Sequence, residues 1–224
     1  MPVAINTYKE LTNELAASGV TLVAVSKTKP ASDIEEMFQL GQLDFGENYV
    51  QELVEKQAAL PAAIRWHFIG HLQRNKVKYI APFVYLIHGV DSLNLLLEIQ
   101  KQAAKQNRVI NVLLQLHIAT EESKFGLDEI ELDALLQYIT DQPLPNVRIC
   151  GMMGMASFSD DQTLVRKEFT HLHQLFERVK HTQLPGVEMK LLSMGMSADY
   201  KIAIEQGSNM IRIGSMLFGT RNYK

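Results

Sequence analysis

Eight short apolar segments alternate with segments of helical pattern along the chain. We predict strands at residues 21–26, 43–46, 65–69, 84–89, 110–118, 147–155, 190–194 and 210–213. Several of them, such as "VLLQLHI" and "MIRIG", are apolar without alternation, which is typical of parallel strands that are covered on both faces. Strand–helix alternation with eight strands predicts an α/β fold, a single (β/α)8 barrel of the TIM type, rather than an open sheet.

The segments between the strands suit helices. The clearest helical period runs over residues 159–182, where Ser159 is the candidate N-cap, and weaker versions cover 91–105 and 127–139. No stretch rich in glycine, serine or proline divides the chain, so residues 1–224 are expected to form one domain.

The two ends of the chain are unusual for such a barrel. After the last predicted strand only "SMLFGTRNYK" remains, which is too short for a closing helix of normal length. Ahead of the first strand, four apolar residues mark an amphipathic helix that has no strand before it: Ile5, Tyr8, Leu11 and Leu15. We predict that this N-terminal helix fills the outer position left open after the eighth strand.

Composition limits the function classes. The apolar content of 46% and charged content of 21% are those of an ordinary globular protein. The formal net charge of −3 argues against broad attraction to nucleic acid or to an anionic membrane. The only cysteine, Cys150, cannot form an internal disulfide, and the chain starts without a signal peptide pattern. A cytoplasmic protein that binds neither nucleic acid nor membrane is expected.

Active sites of (β/α)8 barrels lie at the carboxyl ends of the strands. The first three strands lead into Lys27, into "FGEN" with Asn48, and into "WHFIGHLQRNK" with His67. His67 and His71 are four residues apart but lack an H-E-x-x-H pattern, so no metal site is expected.

The turns after the last two strands suit a phosphate. In barrels, phosphate sites often combine the loops after strands seven and eight with a helix N-terminus. "MGMSAD" places Ser197 before a predicted helix at 198–206, and "RIGS" supplies Gly214, which permits close backbone approach, and the hydroxyl of Ser215. The alternative is that Ser197 only caps its helix and Gly214 only forms a turn.

Lys27 leaves an apolar strand on the opposite side of the same barrel mouth. A desolvated lysine is nucleophilic toward carbonyls, so a lysine facing a phosphate site indicates a Schiff base. Two ligand classes fit, pyridoxal phosphate and a phosphosugar, and an exposed loop lysine is the alternative. Arg212 lies in an apolar strand and either faces the pyridine nitrogen of pyridoxal phosphate or forms a buried salt bridge with carboxylates of "TEES".

Six segments together carry a resemblance: "VAVSKTKP", "FGENYVQE", "WHFIGHLQRNK", "ESKFG", "SMGMSADYKIAI" and "RIGSMLFG". They closely resemble the pyridoxal phosphate homeostasis protein family, whose fold is similar to the barrel domain of alanine racemase. The resemblance implies pyridoxal phosphate on Lys27, its ring nitrogen facing Arg212 and Asn48 near the ring. The expected cofactor-binding residues are Lys27, Asn48, His67, Ser197, Arg212, Gly214 and Ser215.

The resemblance also implies a role. Members of the family are thought to buffer pyridoxal phosphate or deliver it to apo-enzymes, and no firm catalytic activity belongs to them, so no catalytic residue is expected. The rival interpretation is a pyridoxal phosphate-dependent amino-acid racemase or decarboxylase of the alanine racemase type. Those enzymes carry a second, β-rich domain, whereas this sequence ends with the barrel, so a non-catalytic monomer is expected. Whether Lys124 or Lys76 holds a second cofactor molecule stays open.

Overall fold

The barrel is closed by pairing between the first and last strands. In the computed structural model, which describes residues 3–121, 125–182 and 184–219, eight parallel strands pair in chain order and β8 pairs with β1. The strands are β1 Thr21–Val25, β2 Asp44–Glu47, β3 Arg65–Phe68, β4 Leu86–Val90, β5 Ile110–Gln115, β6 Val147–Met153, β7 Val187–Ser193 and β8 Met210–Ile213. The (β/α)8 fold and all eight predicted strands are therefore confirmed, with ends that differ by at most three residues.

Helices lie between the strands and around them. They are α1 Ile5–Ser18, α2 Ala31–Gln39, α3 Val50–Ala59, α4 Val77–Ile80, α5 Leu93–Lys105, α6 Glu129–Asp141, α7 Gln162–Lys180, α8 Tyr200–Glu205 and α9 Ser215–Phe218, with a 3-10 turn at Arg74–Lys76. In the part of the chain that the structure describes, no helix has both the length and the apolar character that crossing a membrane requires. Lys124 lies outside the described residues.

The start of α7 differs from the prediction. The helix begins at Gln162, and its N-cap is Asp161 rather than Ser159. Asp161 Oδ1 accepts hydrogen bonds from the N–H groups of Thr163 and Leu164, whereas Ser159 Oγ accepts only from the Asp161 N–H. A carboxylate at this position also interacts favourably with the helix dipole, which explains why the aspartate caps the helix.

The inside of the barrel is apolar only in part. One buried cluster fills it and consists of Val23, Leu86, Leu113, Met153 and Met210. Strand register places Arg212 beside Val23 and His67 beside Leu86, so these two polar residues share the inner face. The outer face packs against the helices through a larger apolar cluster. Coverage on both faces explains why the strands lack alternation.

Helix α1 occupies the position predicted for it. The Ala4 N–H donates to the Leu217 carbonyl at 2.9 Å, which ties the start of the helix to the residues after β8. Tyr8, Leu11 and Leu15 are buried. The helix thus packs against β1 and against the four-residue helix α9 that follows β8.

We expect Leu11→Ala to lower the free energy of unfolding by about 3 kcal/mol, because it leaves a cavity beneath α1. Asn13→Ala changes an exposed residue of the same helix and should stay within about 0.5 kcal/mol of the unchanged protein. Denaturant unfolding of both variants measures the difference. Equal stability of the two variants would show that α1 does not close the barrel wall.

Candidate functional site

A cavity of about 430 Å³ opens at the carboxyl ends of the strands. Its lining includes six of the seven residues expected from the sequence: Lys27, Asn48, Ser197, Arg212, Gly214 and Ser215. Lys27 comes from the loop after β1, and the others follow β2, β7 and β8 or, in the case of Arg212, lie within β8. Barrel closure therefore brings together residues from opposite ends of the sequence. Because β1 pairs with β8, Lys27 follows a strand adjacent to the one before Gly214 and Ser215, and the prediction that it lies on the opposite side of the barrel mouth from that turn was wrong.

The segment before Lys27 is held by a buried ionic cluster. Ser26 Oγ donates to Glu47 Oε1 at 2.6 Å, and Lys56 Nζ donates to the Ser26 carbonyl at 2.8 Å and to Glu47 Oε1 at 2.7 Å. All three residues are buried. Burial raises the pKa of Glu47, while the charge of Lys56 and the hydrogen bonds from Lys56 and Ser26 act in the opposite direction. Sequence reasoning missed this cluster, although Glu47 stands within the quoted "FGEN".

The residue after Lys27 has an unusual backbone conformation. Thr28 has φ 65°, in the left-handed region, which costs a β-branched residue on the order of 1–2 kcal/mol. Its N–H donates to Glu52 Oε1 at 2.6 Å, and Glu52 also accepts from Lys56. Helix α3 therefore fixes the backbone on both sides of Lys27.

Lys29 contributes to the structure of the loop after β1. Its Nζ donates to the carbonyl of Phe218 at 2.6 Å and so ties the β1 loop to the end of α9. It also lines the cavity. Lys27, in contrast, lies between Ser26 and Thr28, and both of these residues are hydrogen-bonded to residues of α3.

Arg212 is a buried cation at the inner wall of the cavity. Its Nη1 donates to the Ser193 carbonyl at 2.8 Å and to Ser193 Oγ at 2.7 Å, and its Nη2 donates to the Gly154 carbonyl at 3.1 Å. Burial lowers the pKa of Arg212 to about 10, while the charge of Asp199 acts in the opposite direction, so the guanidinium is positive at neutral pH. The alternative was a salt bridge between Arg212 and the carboxylates of "TEES". Of these, Glu121 accepts a hydrogen bond from the Phe158 N–H, and Glu122 lies outside the described residues.

Gly214 and Ser215 form the turn after β8. A Cβ added at Gly214 would lie 3.2 Å from the Val25 carbonyl oxygen and 3.3 Å from Val25 Cβ, tighter than most side-chain contacts. Any larger residue would therefore press on the end of β1 beside Lys27. Because glycine has no side chain, the turn after β8 can approach the end of β1 this closely.

Ser197 does not cap a helix. Helix α8 begins at Tyr200, two residues later than predicted, and its N-cap is Asp199. Asp199 Oδ1 accepts from the Met196 N–H at 2.6 Å and so closes the turn that contains Ser197. The hydroxyl of Ser197 stands at the cavity wall, and the six-residue helix behind it adds no N-terminal anion site.

Asn48 forms the wall between this cavity and a larger one of about 670 Å³. The larger cavity contains neither Lys27 nor Arg212, so we assign the smaller one as the functional site. Asn48 Oδ1 is buried and has no hydrogen-bond partner. A Cβ at Gly70 would lie 2.4 Å from the Asn48 carbonyl oxygen, so Gly70 allows β3 to pack against Asn48.

His67 is the expected site residue that the structure does not bring to the cavity. It is fully buried inside the barrel, where its Nε2 lies 2.9 Å from Asp44 Oδ1 and its Nδ1 lies 2.9 Å from His88 Nε2. Burial lowers the pKa of His67, although Asp44 acts in the opposite direction. The prediction that His67 lines the site was wrong: it was grouped with the residues at strand ends although it lies within the predicted strand 65–69 and within β3. Sequence reasoning also missed His88, a polar residue within the apolar "LIHGV".

The site thus combines an anchored amine, a buried cation, an unsatisfied amide oxygen and a glycine–serine turn around one cavity. The amine can bond to a carbonyl carbon, and the turn can receive an anionic group.

The sequence matches the family model described as "Alanine racemase, N-terminal domain" over residues 5–222. The pyridoxal phosphate homeostasis protein of Pasteurella multocida is 41% identical over 211 residues, which are 92% of this chain and 88% of that protein. The human protein of the same name is 39% identical over 221 residues, which are 94% of this chain and 80% of that one.

Solved structures agree. PipY of Synechococcus elongatus, described with PLP bound, has 34% identity and a TM-score of 0.86 over 96% of this chain and 99% of its own. Alanine racemase from Bartonella henselae, at 18% identity and a TM-score of 0.71, shares the fold over 98% of this chain and 60% of its own. The chain belongs to the alanine racemase N-terminal domain family and, within it, to the pyridoxal phosphate homeostasis proteins.

Proposed function

We propose that this protein binds pyridoxal 5'-phosphate covalently on Lys27 and acts in vitamin B6 homeostasis as a carrier that buffers the cofactor or delivers it to apo-enzymes. The observation that carries the proposal is that Lys27, Arg212 and the Gly214–Ser215 turn line one cavity. The relatives are named for pyridoxal phosphate homeostasis, and PipY is described with the cofactor bound.

The residues fit the cofactor at each of its functional groups. Lys27 supplies the amine for the aldehyde, and Ser197, Gly214 and Ser215 supply hydroxyls and an open backbone for the phosphate. The unsatisfied Oδ1 of Asn48 accepts a donor from the ligand, or the amide turns its nitrogen toward a ligand oxygen. When bound, the cofactor supplies an electrophilic aldehyde and an electron-withdrawing ring.

Arg212 favours holding the cofactor over catalysis with it. A permanent cation at the pyridine nitrogen keeps that nitrogen unprotonated, which makes the ring a weak electron sink. Racemases of this fold class also place an arginine there, so the residue alone does not decide against the racemase alternative.

The titratable groups of the cavity bear on the choice between a carrier and a racemase. Among the described lining residues they are Lys27, Lys29, Asp199 and Arg212. Racemisation moves protons on both faces of the substrate's α-carbon, so it needs an acid–base group on each side. Lys29 already binds the Phe218 carbonyl, and Asp199 holds the Met196 N–H. This arrangement supports a carrier rather than a racemase or a decarboxylase.

The recipients in this proposal are apo-enzymes that require pyridoxal phosphate, and the carrier works as a monomer in the cytoplasm. Free Cys150, the only cysteine of the sequence, suits a reducing compartment. The open mouth of the barrel gives the cofactor a route to solvent or to a recipient.

We expect the purified protein with pyridoxal phosphate to be yellow and borohydride to fix the label on Lys27. Lys27→Ala should be colourless, because no other described lining amine is anchored at that position. Lys29→Gln is the matched control and should keep the colour, with the label still on Lys27 by peptide mapping. Full visible absorbance in Lys27→Ala would refute the covalent assignment.

Removal of the Ser215 hydroxyl should weaken binding of pyridoxal phosphate about tenfold, since a hydrogen bond to a charged phosphate is lost. Binding of pyridoxal, which lacks the phosphate, should stay the same in Ser215→Ala. Ser215→Thr keeps a hydroxyl on an exposed position and should bind both ligands as the unchanged protein does. Titration by visible absorbance measures both affinities. Equal weakening for the two ligands would move the phosphate away from this turn.

Assays with common amino acids test the carrier against the enzyme. We expect no racemisation or decarboxylation at ordinary enzyme rates, about 1 per second or faster. We also expect an apo-enzyme acceptor to gain activity from the loaded protein, and free cofactor at the same total concentration is the control. Turnover at enzyme rates would establish the racemase or decarboxylase alternative.

A further inference from the structure

A continuous chain of hydrogen bonds crosses the inside of the barrel and ends at Arg212. Arg212 Nη1 lies 2.7 Å from Ser193 Oγ, and that oxygen lies 3.2 Å from His88 Nδ1. His88 Nε2 lies 2.9 Å from His67 Nδ1, and His67 Nε2 lies 2.9 Å from Asp44 Oδ1. All five residues are buried, and Asp44 is the first residue of β2, at the end of the barrel opposite the cavity.

The carboxylate end of this chain fixes the direction of its hydrogen bonds when both imidazoles are neutral. A carboxylate can only accept, so His67 Nε2–H donates to Asp44, and His67 Nδ1 then accepts from His88 Nε2–H. His88 Nδ1 in turn accepts from the Ser193 hydroxyl, whose oxygen accepts from the Arg212 guanidinium, which can only donate. The opposite tautomers would leave a bare His67 nitrogen facing the carboxylate.

Both imidazoles must be neutral for this arrangement, and their burial inside the barrel favours the neutral form. Burial lowers the pKa of His88 well below its usual range, and the nearby His67 and Arg212 lower it further. The pKa of His67 is also lowered by burial and by Arg65, while Asp44 raises it. Arg65 pairs with Asp44 at the outer end, so the chain runs between an anion and a cation with neutral members between them.

We propose that Ser193 and His88 are positioning residues for Arg212, and that this barrel-spanning chain orients the guanidinium toward the ring of the cofactor. Arg212 Nη1 donates two hydrogen bonds to Ser193, one to its carbonyl and one to its hydroxyl. Because the Ser193 hydroxyl donates its hydrogen bond to His88 Nδ1, the lone pairs of Ser193 Oγ face the guanidinium of Arg212. His67 acts two steps further back, which explains a histidine at this position outside the cavity.

The inference rests on the proposed function only for its effect on the cofactor, so the first experiment uses the protein without cofactor. Nitrogen-15 NMR of the histidine side chains should show neutral Nε2–H tautomers for His67 and His88 between pH 8 and about pH 6.5, the ordinary histidine pKa. An Nδ1–H tautomer at either residue, or protonation near neutral pH, would overturn the chain whatever the protein binds.

Ser193→Ala should weaken both pyridoxal phosphate and pyridoxal about tenfold, because the ring contact is common to the two ligands. This pattern differs from that of Ser215→Ala, which affects only the phosphorylated ligand. Ser208→Ala is the matched control: its buried hydroxyl bonds only to backbone carbonyls, and both affinities should stay within about twofold. Equal affinities for Ser193→Ala and Ser208→Ala would refute the positioning role.

A second pair of variants decides the matter if Ser193→Ala does not fold. His88→Leu removes the acceptor for the Ser193 hydroxyl, whereas His88→Asn keeps an acceptor oxygen near the position of Nδ1. We expect about tenfold weaker ring binding in His88→Leu and recovery to within about threefold in His88→Asn. The same affinity for the two variants would show that His88 only fills space. If Lys27→Ala is colourless while the Ser193 and His88 variants bind both ligands as the unchanged protein does, the proposed function stands and this inference is refuted.

Discussion

The site depends on the pairing of β1 with β8. This pairing places Val23 beside Arg212 and Ala24 beside Ile213, so the loops that follow the two strands emerge next to each other. The Lys29–Phe218 hydrogen bond then ties these loops across 189 positions of sequence. Closing so long a segment costs conformational entropy. The burial of α1 over the same join offsets part of that cost, so the N-terminal helix supports the cavity without touching it.

Two buried ionic systems hold the amine and the cation of the site from outside the cavity. Glu47 and Lys56 hold the backbone at Lys27 through Ser26, and the chain that ends at Asp44 holds Arg212. In the first system buried Lys56 pairs directly with buried Glu47. In the second, Asp44 pairs with Arg65, and the charge of Asp199 favours the cationic form of Arg212. Functional groups that are supported in this way stay within the narrow range of positions that ligand binding requires.

The sequence is sufficient to predict the eight strands and the convergence of Lys27 with Gly214 and Ser215, because strand ends in a barrel share one face. It does not show which way each residue of a strand points. In "LIHGV" both neighbours of His88 are buried, so no alternation separates the inner from the outer face. The inward positions of His67 and His88 follow only from strand register. Which of Ser159 and Asp161 is the N-cap of α7 follows only from the hydrogen bonds that each accepts.

The polarity of the barrel interior bears on the proposed role of the protein as a carrier of the cofactor. A proton on the pyridine nitrogen would face a guanidinium that Ser193 and His88 hold in place, and the neutral histidines offer no base strong enough to remove the charge of Arg212. In the proposed complex the ring is therefore a weak electron sink. Affinity in that complex comes from the Gly214–Ser215 turn and the reversible bond to Lys27. Both groups lie at the carboxyl ends of the strands, so under the proposed function the contacts that retain the cofactor are on the face of the barrel that a recipient enzyme would approach.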